Sequence, residues 1–215
     1  MEKIYFDDTT FIWKGKLGLS MYKDIILKEA NEVIDSLKEV VHTDGFGYKI
    51  EWTNDINFNG NFSIQNKLDE VCQYGIDVCK DIYSEQFSKE FNKVNTDAWV
   101  NVVRSKEPVQ ENFYDKKQKY HIHTEINKKT KSFVPDYTYV YYIQMPDTME
   151  GEDGVLYFKG KDATEYWIRP EEDDIIVMEG WMPHAPNNAP NSTIDRVVLA
   201  GNVGFDFIKK EKSLL

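Results

Sequence analysis

Gln118-Lys119-Tyr120-His121-Ile122-His123-Thr124-Glu125 is the stretch that decides how this chain reads. It has the character of an extended strand end. Residues i and i+2 of a strand point to one face, so His123 and Glu125 aim together and their donor atoms can converge on one ion. His121 shares that face. A third donor must come from a distant strand folded back beside the first. The next histidine, His184, closes Gly180-Trp181-Met182-Pro183-His184, which reads as a turn delivering it to the start of a returning strand. The interval between Glu125 and His184 holds about four short strands with turns, at about 5–6 residues per strand.

Two imidazoles and one carboxylate can bind iron(II) on one face and leave the remaining positions open for a second ligand and O2. The favoured set is His123, Glu125 and His184, because a carboxylate balances the charge of the metal. His121 is the competing ligand: His121-x-His123 with His184 makes an all-histidine triad that would also bind iron. If Glu125 is the ligand, His121 becomes an outer or substrate-side group. A His-x-Glu triplet alone carries little weight; its conjunction with the distal histidine, a loop and an arginine-led strand gives it force. Pro186-Asn187-Asn188-Ala189-Pro190-Asn191-Ser192 is a loop by composition. Arg196-Val197-Val198-Leu199-Ala200-Gly201-Asn202-Val203 is then an apolar strand with one inward charge at its start. A buried arginine needs an acidic partner, and a bound dicarboxylate would meet that need.

With these residues the chain resembles the iron(II)/2-oxoglutarate-dependent oxygenases. Their motif of His-x-Asp/Glu, a distal His and an Arg about ten residues beyond falls on His123, Glu125, His184 and Arg196. The likeness extends to the prolyl-hydroxylase-like branch through Thr138-Tyr139-Val140-Tyr141-Tyr142-Ile143 and Gly151-Glu152-Asp153-Gly154-Val155-Leu156-Tyr157-Phe158. It covers about residues 97–207, and the motifs are also similar to those of uncharacterised marine phage and bacterial members. The resemblance implies a double-stranded β-helix (jelly roll), iron(II), O2 and 2-oxoglutarate as cosubstrate. Tyr142 would hydrogen-bond the cosubstrate carboxylate beside Arg196. Two departures stand out. The carboxylate ligand is Glu where Asp is usual, and Val198 occupies the position, two after the Arg, where members often carry a hydroxyl.

The chain has 215 residues and a net charge of −11. That length fits one domain, expected as a helical N-terminal support region over 1–96 and a β-helix core over 97–207. The charge argues against a basic groove for duplex nucleic acid. A small molecule, a nucleotide or a protein side chain fits as substrate. The two cysteines, Cys72 and Cys79, share one helix face and read as core residues. With no disulfide framework and no basic, apolar leader, a reducing cytoplasmic setting and no membrane are expected; for a phage protein this would be the host cytoplasm. The 30 aromatic residues, 13 Tyr, 12 Phe and 5 Trp, favour a sheet-rich core.

Along the chain, short strands are expected at Lys3–Phe6, around Phe11-Ile12-Trp13 and at Tyr48–Trp52. Helical spacing predicts a helix over Ser20–Val41 and another over Ile64–Lys93, with Gly75 and the Ser84–Phe87 region as points of bending. Both helices should pack on the outer face of a sheet. Strands are expected next at Ala98–Val103, Tyr137–Gln144, Val155–Lys159, Tyr166–Arg169 and Ile175–Met178. Glu171-Glu172-Asp173-Asp174 reads as a solvated turn. Ser105–Lys119, Asn127–Pro135 and the N-terminal third would choose the substrate, and Lys128–Ser132 could attract an anion. Two rival readings remain. One is a cupin-like metal enzyme that does not use 2-oxoglutarate, against which Arg196 speaks. The other is a non-catalytic β-sandwich interaction module, which would need an exposed apolar patch instead of a metal pocket.

Overall fold

Alternation along two strands separates the interior into two cores. Strand β5 (Tyr137–Gln144) is buried over nearly its whole length. Its Tyr137, Tyr139, Tyr141 and Ile143 join a cluster that includes Ile26, Leu68, Val71, Ile76 and Tyr83 of the helices. Its Val140 and Tyr142 join a second cluster with Leu156, Phe158, Ile176 and Met178. Strand β10 (Arg196–Phe207) divides the same way, Val197, Leu199 and Val203 to the helix side and Val198 and Ala200 to the other. A central strand covered on both faces explains why this stretch carries so many large apolar residues in succession.

The structure is a computed structural model that describes residues 1–36, 48–57, 66–87, 91–103, 120–123, 135–187, 189 and 191–207. The remaining elements are β1 (Glu2–Tyr5), β2 (Phe11–Lys16), α1 (Lys23–Ser36), β3 (Tyr48–Asn57), α2 (Lys67–Phe87), β4 (Phe91–Val103), β6 (Leu156–Lys159), β7 (Glu165–Ile168), β8 (Asp174–Glu179) and β9 (His184–Pro186). A seven-stranded sheet runs β1-β2-β8-β5-β10-β4-β3, and a three-stranded sheet runs β7-β6-β9. All of their pairings are antiparallel. The two sheets face each other as a double-stranded β-helix, and the helices cover the outer face of the larger one.

Several sequence expectations need correction. Residues 1–96 are not only helical support: β1, β2 and β3 belong to the large sheet, and β4 already begins at Phe91. The second helix stops at Phe87, so 91–93 are strand. It also runs straight through Gly75, whose role is close approach. A Cβ there would lie 2.5 Å from the Tyr139 ring, and one at Gly201 would meet the same ring at 2.5 Å from the other side. The first helix opens with a 3-10 turn at Ser20–Tyr22 before α1, and the expected part beyond Ser36 lies outside the described residues.

The acidic run is a solvated face only at its start, where Glu171 is exposed and Glu172 half-buried. Asp173 and Asp174 are buried. Asp173 adopts φ +68, a conformation that costs a non-glycine residue of order 1–3 kcal/mol. Its carboxylate accepts hydrogen bonds from the Gly18 and Leu19 amides and from the Tyr141 hydroxyl, each at 2.9 Å. Asp174 pairs with Lys14 at 2.9 Å and Lys16 at 3.1 Å. Burial pushes its carboxyl upward, but the hydrogen bond from the Glu171 amide and the two lysines outweigh burial and hold it below the usual carboxylate range. Together these contacts clamp β2 to the start of β8. Among the described residues no helix is long and apolar enough to cross a membrane.

Candidate metal centre

His184 opens β9 directly after the turn through Gly180 and Trp181, as its sequence setting predicts. Across from it, His121 forms an isolated antiparallel bridge rather than a regular strand. The two backbones exchange both hydrogen bonds, His121 N–H to the His184 carbonyl at 3.1 Å and His184 N–H to the His121 carbonyl at 3.0 Å. Directly paired residues put their side chains on one face, so the rings of His121 and His184 meet with centroids 4.3 Å apart. His123 lies two residues on and returns to the same face. Its ring centroid is 5.0 Å from that of His184 and 5.1 Å from that of His121.

The donor atoms of His121, His123 and His184 all lie within 4.8 Å of one another. His123 Nε2 and His184 Nε2 are 3.2 Å apart. Two metal–imidazole bonds of about 2.1 Å meeting at a right angle would separate their nitrogens by about 3 Å. The observed spacing therefore fits two adjacent ligands of one ion. His184 Nδ1 is 3.0 Å from the Met182 carbonyl. A carbonyl only accepts, so Nδ1 bears the proton and Nε2 keeps the lone pair that a metal requires. Burial, followed by the neighbouring His121 and His123, holds the His184 imidazole well below its usual pKa. It is therefore neutral at physiological pH. Trp99 stacks on His123 with centroids 5.6 Å apart. Glu125, the expected carboxylate ligand, lies outside the described residues, as do the Lys128–Ser132 and Ser105–Lys119 segments.

Behind the histidines is a cavity of about 570 Å³, its solvent-open mouth included, between the two sheets. The register of the large sheet sets out its floor in rows. Arg196 of β10 pairs with Val103 of β4. In the next row Val198 lies between Asn101 of β4 and Tyr142 of β5, and in the one after Ala200 lies between Trp99 and Val140. Leu156, Pro186, His121 and His184 close the cavity from the small sheet. Beside Tyr142 the β5–β10 register shifts between Val197 and Val198, leaving Ile143 without a paired residue. Such bulges re-aim side chains next to functional sites.

The expected pair Arg196 and Tyr142 meets in this cavity. Arg196 is 6% exposed and has no ion-pair partner among the described residues. Its Nη1 donates to the Asn187 carbonyl at 3.1 Å, its guanidinium carbon is 5.9 Å from the Tyr142 ring centroid, and its Nε has no hydrogen-bond partner. The Tyr142 hydroxyl is fully buried and also without a hydrogen-bond partner. Burial pushes the Tyr142 phenol up to about 12, although Arg196 pulls it down. Burial likewise lowers the Arg196 guanidinium, and Tyr142 opposes that shift. Unsatisfied buried polar atoms are rare in folded proteins and point to a missing partner. An oxyanion is the partner that suits both groups, since it would accept from the guanidinium and from the phenol.

Sequence reasoning did not single out Trp99, Asn101, Thr138 or Asn187 as site residues. The first three line the cavity. Asn187 holds Arg196 and is itself tied to the turn before β6, its N–H to the Val155 carbonyl at 2.9 Å and its Nδ2 to the Glu152 carbonyl at 2.7 Å.

No family model matches this chain, and no curated protein matches it. Solved structures do. A Pseudomonas putida prolyl-4-hydroxylase is similar with a TM-score of 0.52 and 13% identity, over 91% of this chain and 92% of that one. A prolyl hydroxylase from Trichoplax adhaerens, in complex with a hypoxia inducible factor oxygen degradation domain peptide, gives 0.54 and 13% over 91% and 83%. IDO from Bacillus thuringiensis gives 0.53 and 11% over 91% and 94%. At these identities the likeness is one of fold.

Proposed function

We propose that this protein is an iron(II)- and 2-oxoglutarate-dependent dioxygenase that hydroxylates a small-molecule or peptide substrate. The observation that carries this reading is a three-imidazole cluster, two of whose members, His121 and His184, line one cavity together with a buried arginine that has no ion-pair partner among the described residues. The fold likeness to prolyl hydroxylases supports it by analogy only.

His123 and His184 are ligands in either version of the site. His121 completes the donor set in the described geometry, and Glu125 is the competing third ligand from the sequence pattern. Bound iron(II) would couple O2 and the decarboxylation of 2-oxoglutarate to oxidation of the substrate. The chain's own residues bind and orient. Arg196 and Tyr142 hold the far carboxylate of the cosubstrate through the two atoms that lack partners. The Met182 carbonyl fixes the His184 ring and its tautomer. Val140, Leu156, Val198 and Ala200 give the cosubstrate's methylene stem an apolar wall and exclude water from it.

An anaerobic iron(II) titration with and without 2-oxoglutarate tests the reading. A charge-transfer band that needs both is the expected result, and absence of iron binding refutes the proposal. Iron binding with no response to 2-oxoglutarate favours the cupin-like alternative. His121→Ala and Glu125→Ala, compared for iron affinity, identify the third ligand by which variant loses the metal.

A further inference from the structure

Asn101 has no place in the motif that suggested this function, yet it sits on the cavity floor with a buried side-chain oxygen that has no hydrogen-bond partner. Among the cavity's lining residues, Arg196 and Tyr142 share that condition. The register fixes its place. Asn101 and Tyr142 flank Val198 from opposite sides, about 10 Å apart at two strand spacings. Asn101 and Tyr142 thus approach the cavity from opposite sides of Val198, the short amide side chain from β4 and the longer phenol from β5. The neighbour of Asn101 on the same face is Trp99, which stacks on His123. Asn101 thus stands between the arginine row and the histidine cluster.

We infer that Asn101 is a third binding residue for the 2-oxo acid cosubstrate, donating from Nδ2 to its metal-side carboxylate, while Arg196 and Tyr142 hold the far one. The inference rests on the function proposed for this site. Such a cosubstrate offers only acceptors, so the amide must present its nitrogen. A half-turn of the amide exchanges its nitrogen and oxygen, and the oxygen in its present place makes no hydrogen bond that such a turn would break. Val198 lies directly between the two flanking groups and brings no polar atom, so Asn101 supplies polarity on the side of the floor away from Tyr142.

The test is 2-oxoglutarate binding to the manganese(II)-loaded protein, followed anaerobically by calorimetry, so that no turnover is needed. Asn101→Ala should weaken binding by at least about tenfold, the low end for a lost hydrogen bond to a charged acceptor. Asn101→Asp, which keeps the size but repels a carboxylate, should weaken it further. Manganese affinity and melting temperature should stay at wild-type values in both. Pyruvate, which lacks the far carboxylate, locates the contact. Asn101→Ala should lower pyruvate affinity by the same factor as 2-oxoglutarate affinity, whereas Arg196→Ala should leave pyruvate unaffected. If wild type binds 2-oxoglutarate and both Asn101 variants bind it within twofold, the inference is overturned and the proposed function stands. If wild type binds manganese but no 2-oxoglutarate, both fall.

Discussion

Replacing Arg196 with methionine should make the ligand-free protein more stable and the cosubstrate-loaded protein less so. Arg196 is 6% exposed. It makes one hydrogen bond, to the Asn187 carbonyl, and leaves Nε unsatisfied. A buried charged group without full pairing costs more than the roughly 1–3 kcal/mol of a neutral one, and apolar replacement of buried ionic groups often stabilises by about 1–4 kcal/mol. Methionine fills a similar volume, but it also gives up the Asn187 bond. We therefore expect a net stabilisation of about 1 kcal/mol, which for a chain of this size raises the melting temperature by about 2–4 °C. Saturating cosubstrate reverses the order. At one hundred times its Kd a ligand adds about 2.7 kcal/mol to the protein that binds it, or about 5–11 °C on the same scale, and the variant forgoes that increment. Thermal melts of manganese-loaded wild type and Arg196→Met, with and without 2-oxoglutarate, should therefore cross. A variant several degrees less stable without ligand, and shifted as far upward by 2-oxoglutarate as wild type, would refute the view of Arg196 as a charge held in reserve for an anion.

Gly75→Ala should lower the melting point, since its Cβ would fall 2.5 Å from the Tyr139 ring inside the helix–sheet core; overpacking of this kind costs about 1–3 kcal/mol, and an unchanged melting temperature would show that the ring yields freely. Asp174 is held below the ordinary carboxylate range, so its contribution is present above the unfolded value of about 3.9 and is lost as pH falls through the folded value. Urea melts from pH 7 down to pH 3 should show wild type losing stability faster than Asp174→Asn at the acid end, and parallel curves would remove the Asp174–lysine clamp as their cause. Cys72 and Cys79 are both buried, with the Cys72 thiol pushed up to about 12 and the Cys79 thiol also raised, in each case chiefly by burial. A thiol reagent such as dithionitrobenzoate should leave both unmodified in the native protein and label both in urea, so rapid native labelling would contradict their place in the core.

Where burial and sequence spacing agree, the elements could be read directly. Tyr137–Gln144 coincides with β5, and Arg196 does begin a strand and does turn inward. His184 comes after its turn as expected: Gly180 lets the chain pass close to Pro135, whose carbonyl oxygen would lie 2.3 Å from a Cβ there, and Pro183 fixes its own φ. Three features were not legible, each for a physical reason. Phe91 continues the apolar spacing of α2, so periodicity alone could not show the change from helix to strand. The acids at 171–174 look solvated by composition, since no local signal shows that Asp173 takes a left-handed conformation to reach the amides of Gly18 and Leu19 from 155 and 154 residues away. Asn101 and Trp99 become cavity residues only once β4 is aligned with β10, information that one strand's sequence does not contain.

That alignment explains why stability and binding can reside in one strand. In β10 Val197, Leu199 and Val203 join the helix-side core, and Arg196, Val198 and Ala200 on the alternate face line the cavity. The period of two couples the assignments: a slip of one residue would send Arg196 into the helix-side core and Leu199 into the cavity. Burial of Val197 and Leu199 against the helices is thus what fixes Arg196 in the binding face. The register shift at Ile143 acts only between β5 and β10. It adjusts Tyr142 relative to Arg196 while the β4–β10 pairing stays regular from Arg196 to Asp206. The cavity floor is thus offset by one residue on its Tyr142 side and in unbroken register on its Asn101 side.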